Sequence, residues 1–188
     1  TKILPRWGIE HSYFDAWDPD SWAEKVRPNT KLVFAETPTN PAVDLVDIER
    51  LVALCREHDL ICVVDNCFAT PILQRPLDFG ADLSIHSATK FIDGQGRVMG
   101  GVVVGRADLV GPIFDFARAT GPSLSPFNAW ILSKSVETLE LRMEKHSANA
   151  MEIARWLEEQ DGVTDVRYPF LPSHPQYEVA KRQMKGGG

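Results

Sequence analysis

The chain has 188 residues, of which 44% are hydrophobic and 24% charged, and this balance is typical of a soluble globular protein with a sizeable core. Its formal net charge of −6, without any basic cluster, argues against binding to nucleic acid. No apolar stretch approaches the roughly 20 residues of a membrane span, and the N-terminus lacks the charged-then-apolar pattern of a secretory signal.

The predicted elements alternate between helices and strands, which favours an α/β fold with a mostly parallel sheet flanked by helices. A short helix is predicted at residues 19–26. A second helix, at residues 47–58, would place one face of apolar side chains against a core. Its face consists of Ile48, Leu51, Val52 and Cys55. Strands are predicted at residues 31–35, 60–65, 83–85 and 98–104, and Gly100-Gly101 in the last indicates close backbone packing or a bulge.

The C-terminal third is predicted to be helical over residues 125–160, with a buried stripe at steps of three and four. The stripe consists of Leu139, Met143, His146, Ala150, Ile153 and Leu157. Gly162 predicts the helix end, and residues 163–168 are expected to form the first strand of a second domain. We place the domain boundary near Ser147, giving a large domain at residues 1–147 and the beginning of a C-terminal domain at 148–188.

Strand 60–65 is a continuous apolar run that ends in Asp65. Such a run indicates a central parallel strand covered on both faces, and ligands of open α/β sheets bind at the carboxyl ends of these strands. A carboxylate at this edge could face a pyridine nitrogen and keep it protonated. A turn or helix-capping aspartate is the alternative interpretation of Asp65.

Lys90 follows the next strand and is preceded by Ser87 and Thr89. A lysine held there could form a Schiff base with pyridoxal 5'-phosphate (PLP), and the two hydroxyl groups could bond the phosphate oxygens. Taken alone, a lysine flanked by serine and threonine is more often a solvated surface residue. His86 should point away from Ser87 because side chains alternate along a strand, so we expect it to pack.

Cysteine spacing gives no sign of a metal site, because Cys55, Cys62 and Cys67 form no C-x-x-C pattern. Cys55 and Cys62 are predicted to be core residues, and unpaired cysteines indicate a reducing, cytoplasmic setting. Cys67 falls close to the proposed site, where simple packing is the favoured interpretation.

Four segments carry a resemblance to a known family: residues 36–41 (ETPTNP), 63–66 (VVDN), 86–91 (HSATKF) and 100–105 (GGVVVG). In this order and spacing they resemble the Cys/Met-metabolism family of fold-type I PLP enzymes. That family includes cystathionine γ-synthases, β- and γ-lyases and homoserine-ester sulfhydrylases. Residues 91–97 (FIDGQGR) are similar to the corresponding segment of O-succinylhomoserine sulfhydrylases.

The resemblance implies roles for five residues and no metal. Lys90 would be the Schiff-base lysine, Asp65 would face the pyridine nitrogen, and Ser87 and Thr89 would bind the phosphate. Asn40 would bond the phenolic oxygen of PLP or the substrate carboxylate, although an Asn-Pro turn is nearly as good an interpretation of its local sequence.

The resemblance also implies a reaction and an assembly. The expected reaction is replacement at Cγ of an O-acylhomoserine, O-succinylhomoserine in the first instance, by sulfide to give homocysteine in methionine biosynthesis. A homotetramer in the cytoplasm is expected. Because family subunits are about twice as long, and the chain runs from Thr1 to Gly188 without an initial methionine, we expect an interior portion of a longer subunit.

Three alternatives remain open from the sequence. Cystathionine γ-synthase or γ-lyase chemistry would use the same lysine. An inactive fragment would keep the fold without the activity. A nucleotide-binding α/β module would need only the strand-helix order, but the chain has neither a Gly-x-Gly-x-x-Gly nor a Gly-Lys-Ser/Thr phosphate loop. Gln95 and Arg97 are further candidates for substrate or subunit contacts, with a solvated loop as the default.

Overall fold

The computed structural model describes residues 2–188, and its centre is a four-stranded sheet in the order β1-β2-β3-β4. The strands are β1 (Leu32–Glu36), β2 (Ile61–Asp65), β3 (Leu83–Ser87) and β4 (Gly101–Gly105). β1 pairs with β2 and β2 with β3 in parallel, whereas β4 is antiparallel to β3. The predicted α/β class with a mostly parallel sheet is therefore confirmed.

Six α-helices accompany the sheet in the described part of the chain. They are α1 (Ile48–Glu57), α2 (Thr70–Leu73), α3 (Ala107–Thr120), α4 (Pro126–Val136), α5 (Leu139–Glu158) and α6 (Tyr177–Gln183). Short 3₁₀ turns occupy Leu4–Trp7, Pro19–Lys25 and Pro76–Phe79, and a π-type turn occupies Ala88–Ile92. The structure thus contains helices α2, α3 and α6, which the sequence pattern did not predict.

Helix α1 packs against the sheet through the apolar stripe that the sequence predicted. Asp47 caps its first turn, because the Asp47 side chain accepts a hydrogen bond from the Arg50 backbone N–H at 3.2 Å. The four predicted core residues of α1 are all buried, in a cluster with Cys62, Val64 and Trp22. Removing this apolar stripe from water holds the helix against β1 and β2.

A second core lies beside the end of β3 and joins distant parts of the chain. Leu73, Ala88, Ile92 and Met143 are buried in it together with Ala180 of α6. The C-terminal helix therefore packs against the same core as the turn that follows β3. Gly100 permits close packing here, because a Cβ atom at this position would lie 3.0 Å from Leu132 Cδ1.

The structure corrects two predictions for the C-terminal third. The helical stretch 125–160 is two helices, separated at residues 137–138, and only the first part of the stripe is buried: Ile153 is 56% exposed and His146 is exposed as well. Residues 163–168 have no regular secondary structure, so the strand predicted there is wrong. A strand needs a hydrogen-bonding neighbour, and among residues 2–188 none pairs with this segment.

The proposed domain boundary near Ser147 stays a prediction. Helix α5 runs through Ser147 without a break, and residues of α6 pack into the second core. Thr1, which contributed to the expectation of an interior portion, lies outside the described residues.

Candidate active site

Three polar side chains end the three parallel strands at one edge of the sheet. Glu36 is the last residue of β1, Asp65 of β2 and Ser87 of β3. Glu36 is paired with Asp65, and Asp65 with Ile85, in the sheet register. Ser87 lies two residues beyond Ile85, so alternation places it on the same face as Asp65. This is the edge at which open α/β sheets bind ligands.

Cys67 connects Asp65 with the end of β3. The Cys67 backbone N–H donates to Asp65 Oδ1 at 3.1 Å, and the Ser87 backbone N–H donates to Cys67 Sγ at 2.7 Å. Burial and donation of the thiol hydrogen to the Asp65 carboxylate raise the pKa of Cys67 to about 11. The thiol is therefore protonated near neutral pH, where it orients the carboxylate.

Lys90 lies in the π-type turn after β3 and is exposed. Its backbone angles, φ −85° and ψ −125°, are not helical although its neighbours close a helical turn. Before it, the Thr89 hydroxyl donates to Gly100 O at 3.3 Å and accepts from Gly100 N at 3.1 Å. After it, the Gly94 backbone N–H donates to Lys90 O at 2.8 Å. The lysine is thus presented on a backbone that is fixed on both sides.

Asn40 is exposed at the tip of the turn between β1 and α1. Thr39 closes this turn, because its backbone N–H donates to Asp44 O at 2.9 Å and its hydroxyl accepts from Asp44 N at 3.0 Å. Thr37 anchors the base of the turn, since its N–H donates to Asp65 O at 3.2 Å. The turn therefore brings Asn40 to the same sheet edge as Asp65.

Glu36 was left out of the predicted site, and the structure places it beside both Asp65 and Asn40. Burial and the neighbouring Asp65 carboxylate raise the pKa of Glu36, while a hydrogen bond from the Asn40 backbone N–H opposes the rise. Two sequence signals mark this residue: it directly follows the predicted strand 31–35, and it begins the segment 36–41 that carries the family resemblance.

Beneath the site lies an amide network, formed by Thr37, Asn66, Gln74 and Gln183, all of which are buried. Gln74 Nε2 donates to Thr37 O and to Asn66 Oδ1, both at 2.8 Å. Gln183 Nε2 donates to Gln74 Oε1 at 3.0 Å. The network ties the turn that carries Asn40 and the residue that follows Asp65 to helix α6.

Three further residues near the site have structural partners. His86 faces away from Ser87 as predicted, with Nε2 3.1 Å from the Ser84 hydroxyl, and burial lowers the pKa of its ring. The Arg97 guanidinium bonds Asp93 Oδ1 at 2.9 Å and the Ser135 hydroxyl at 2.6 Å. These bonds hold the loop 93–97 against α4. Gln95 is exposed, and its backbone N–H donates to Asp93 Oδ2 at 3.3 Å.

Among residues 2–188, no three or more His, Cys, Asp or Glu side chains are grouped so as to hold a metal ion. Over the same range, no helix combines the length and apolarity needed to cross a membrane.

Comparison with known proteins gives a consistent result across the chain. The family described as "Cys/Met metabolism PLP-dependent enzyme" matches residues 1–188. The chain is 51% identical over 187 residues to O-succinylhomoserine sulfhydrylase of Pseudomonas aeruginosa, a match that covers 100% of the chain and 46% of that relative. It is 46% identical over 165 residues to a Bacillus subtilis protein named cystathionine gamma-synthase/O-acetylhomoserine (thiol)-lyase, covering 87% of the chain and 44% of that relative.

A solved structure gives the same answer for the fold. The crystal structure of cystathionine gamma-lyase from Lactobacillus plantarum in complex with L-serine matches with a TM-score of 0.95 and 36% identity. That match covers 100% of the chain and 49% of the solved one. The chain thus spans about half the length of the relatives that it matches.

Proposed function

The chain belongs to the family of Cys/Met metabolism PLP-dependent enzymes, and from this premise we propose that it carries the cofactor-binding part of an O-acylhomoserine sulfhydrylase. The proposed reaction replaces the γ-acyloxy group of O-succinylhomoserine by sulfide, giving homocysteine and succinate. The observation that carries the proposal is the arrangement of Asp65 and Ser87 on one face, at adjacent strand ends, with Lys90 three residues later.

The residues at this edge have the chemistry that PLP requires. Asp65 offers a half-buried carboxylate for a pyridine nitrogen, and Ser87 and Thr89 offer hydroxyl groups for a phosphate. The Thr89 hydroxyl donates to Gly100 O at 3.3 Å, which is long for an O–H···O bond, so rotation of the hydroxyl could turn its hydrogen to a phosphate oxygen. When bound, PLP supplies an electron sink for negative charge at the substrate carbons.

Each proposed role follows from the position of the side chain. Asp65 would keep the pyridine nitrogen protonated, and Cys67 orients the Asp65 carboxylate through two hydrogen bonds. Lys90 would hold the cofactor covalently before substrate arrives. Afterwards its neutral Nζ amine, which accepts one proton at a time, would take the Cα proton, pass it to the bound cofactor, and only then take the proton from Cβ. The γ-acyloxy group leaves as a carboxylate, sulfide bonds Cγ, and the two protons return to Cβ and Cα. Asn40, at the same edge, would bond the phenolic oxygen or the substrate carboxylate.

The similarity to the bifunctional Bacillus subtilis relative supports a second candidate, in which cysteine replaces sulfide and the product is cystathionine. The same lysine, carboxylate and hydroxyl groups would serve both reactions, so the difference must arise in the acceptor site. The acyl group could likewise be acetyl, since the name of that relative includes O-acetylhomoserine.

The two candidates are separated by product analysis of the full-length polypeptide that contains these residues. O-succinylhomoserine is supplied with sulfide, with cysteine or with both, and the products are identified by mass spectrometry. The same reactions are repeated with O-acetylhomoserine in place of O-succinylhomoserine. We expect homocysteine and succinate as the main products. Cystathionine as the main product in the mixed reaction would move the assignment to a γ-synthase, and release of a 2-oxo acid without sulfide would move it to a γ-lyase.

We also propose that the subunit works in the cytoplasm as a homotetramer, on the basis of the family to which it belongs and its three free cysteines. Light scattering on the full-length polypeptide tests the assembly. A mass of four subunits is the expected result, and a monomer with full activity would contradict it.

A further inference from the structure

Arg142 of helix α5 reaches the turn that carries Lys90. Its Nη1 atom donates to Phe91 O at 2.7 Å, and its Nη2 atom donates to Ile92 O and to Ser135 O, each at 3.1 Å. The side chain is half-buried, and its Nε atom donates to the Thr138 hydroxyl at 3.3 Å. Because the guanidinium donates to three backbone carbonyl oxygens, it fixes the backbone at these three residues.

The three carbonyls belong to two separate segments of the chain. Phe91 and Ile92 directly follow Lys90, whose own ψ of −125° breaks the helical path of the turn. Ser135 lies near the end of α4, and its carbonyl oxygen also accepts the Thr138 backbone N–H at 3.2 Å, in the link between α4 and α5. Arg142 therefore holds the segment after the lysine against the end of α4 and the beginning of α5.

Gly94 provides independent evidence that the loop is shaped around this guanidinium. Its φ of +73° lies in the left-handed region that favours glycine, and a Cβ atom there would come within 2.2 Å of Arg142 Nη1. Glycine thus leaves the space in which the Arg142 side chain bonds the carbonyls.

We propose that Arg142 is a positioning residue for Lys90, which it serves by fixing the two carbonyls that follow the lysine. This inference rests on the proposed function, because it takes Lys90 as the residue that binds PLP covalently. Lysine cannot replace Arg142, since an ammonium group lacks the planar fork that reaches several carbonyls at once.

The test is a double-mutant cycle on PLP binding, measured by absorbance titration of the full-length polypeptide. The four proteins are the unaltered one, Arg142→Met, Lys90→Ala and the double variant; Arg155→Met is the matched control, because Arg155 is exposed on the same helix. We expect Arg142→Met to weaken PLP binding about tenfold when Lys90 is present, as three charge-assisted bonds are lost. In the Lys90→Ala background it should change the affinity little, because the arginine acts through the lysine.

A second readout is the fraction of protein that borohydride reduction links covalently to PLP at a fixed cofactor concentration. It should fall in Arg142→Met and in Arg142→Lys and stay unchanged in Arg155→Met. Gly94→Ala displaces the guanidinium without removing it, so it should also weaken PLP binding only when Lys90 is present. This variant replaces the Arg142 variants in the test if they do not fold.

Equal loss of PLP affinity with and without Lys90 would overturn the inference, since it would mean that Arg142 supports the fold in general. No loss in either background would overturn it as well. Failure of the proposed function is distinguishable, because then Lys90→Ala alone would leave covalent trapping of PLP unchanged.

Discussion

Gln74 lies at the centre of the amide network, and Gln74→Leu removes its polar atoms while nearly preserving its volume. The Gln74 side chain is 1% exposed, so water cannot replace the lost bonds. Thr37 O and Asn66 Oδ1 would each lose the Gln74 Nε2 donor at 2.8 Å, whereas Gln183 Nε2 would keep its bond to Val46 O at 3.1 Å. Two buried acceptors are thus left without that donor.

Leaving a buried polar group without a partner costs about 1–3 kcal/mol, so for two acceptors the expected loss in the free energy of unfolding is about 2–6 kcal/mol. This is a large share of the roughly 5–15 kcal/mol that stabilises a typical domain. Because Thr37 and Asn66 adjoin the Asn40 turn and Asp65, PLP affinity should fall together with stability.

The assay is urea unfolding followed by circular dichroism, with the midpoint and slope compared between variants. Gln160→Leu is the control, because the Gln160 side chain donates to Trp156 O at 2.8 Å in an exposed bond just beyond the end of α5. The free energy of unfolding of Gln160→Leu should stay within about 0.5 kcal/mol of that of the unaltered protein. A Gln74→Leu midpoint that shifts no more than this control would refute the view that the network holds the site together.

Three other predictions concern Asp65, a pair of glycines and Cys67. Asp65→Asn should lower the rate of homocysteine formation by several orders of magnitude, because a neutral amide cannot keep the pyridine nitrogen protonated; near-normal kcat would remove Asp65 from the site. Gly105→Ala should unfold the protein at lower urea, since a Cβ atom would lie 2.1 Å from Asp82 O at a φ of +152°, whereas Gly111→Ala in α3 meets nothing within 4 Å and should stabilise by about 0.5–1 kcal/mol. A similar midpoint for both glycine variants would contradict this reasoning. Cys67, with a pKa of about 11, should react with iodoacetamide at pH 8 roughly 100-fold more slowly than an exposed cysteine, and its rate should rise with pH up to about 11. Peptide mass spectrometry measures that rate, and alkylation as fast as that of free cysteine would show an unprotected thiolate.

The sequence predicted the elements whose signals are local. The apolar run that ends at Asp65 and the apolar stripe of α1 are patterns of a few neighbouring residues, and residues of both are buried in the structure. The motif around Lys90 is likewise continuous in the chain, so its position at the end of β3 could be predicted. The detailed conformation of the turn could not be predicted, because it depends on Arg142, which lies 52 residues after Lys90 in the chain.

The remaining features depend on contacts between distant parts of the chain. The amide network joins Gln74 to Gln183, which are separated by 109 residues, and no local pattern marks two glutamines as partners. Helix α3 was missed because Gly111 and Pro112 interrupt its helical pattern. Residues 163–168 are rich in β-branched and aromatic residues, which favour a strand, but a strand forms only where a neighbour offers its backbone groups.

The central claim, that Lys90 binds PLP covalently, is tested most directly by locating the cofactor on the chain. The full-length polypeptide is incubated with PLP, reduced with borohydride and digested, and the peptides are sequenced by mass spectrometry. We predict one modified peptide, with the added mass on Lys90, and its complete loss in Lys90→Ala. Modification of another lysine, or undiminished trapping in Lys90→Ala, would contradict the account.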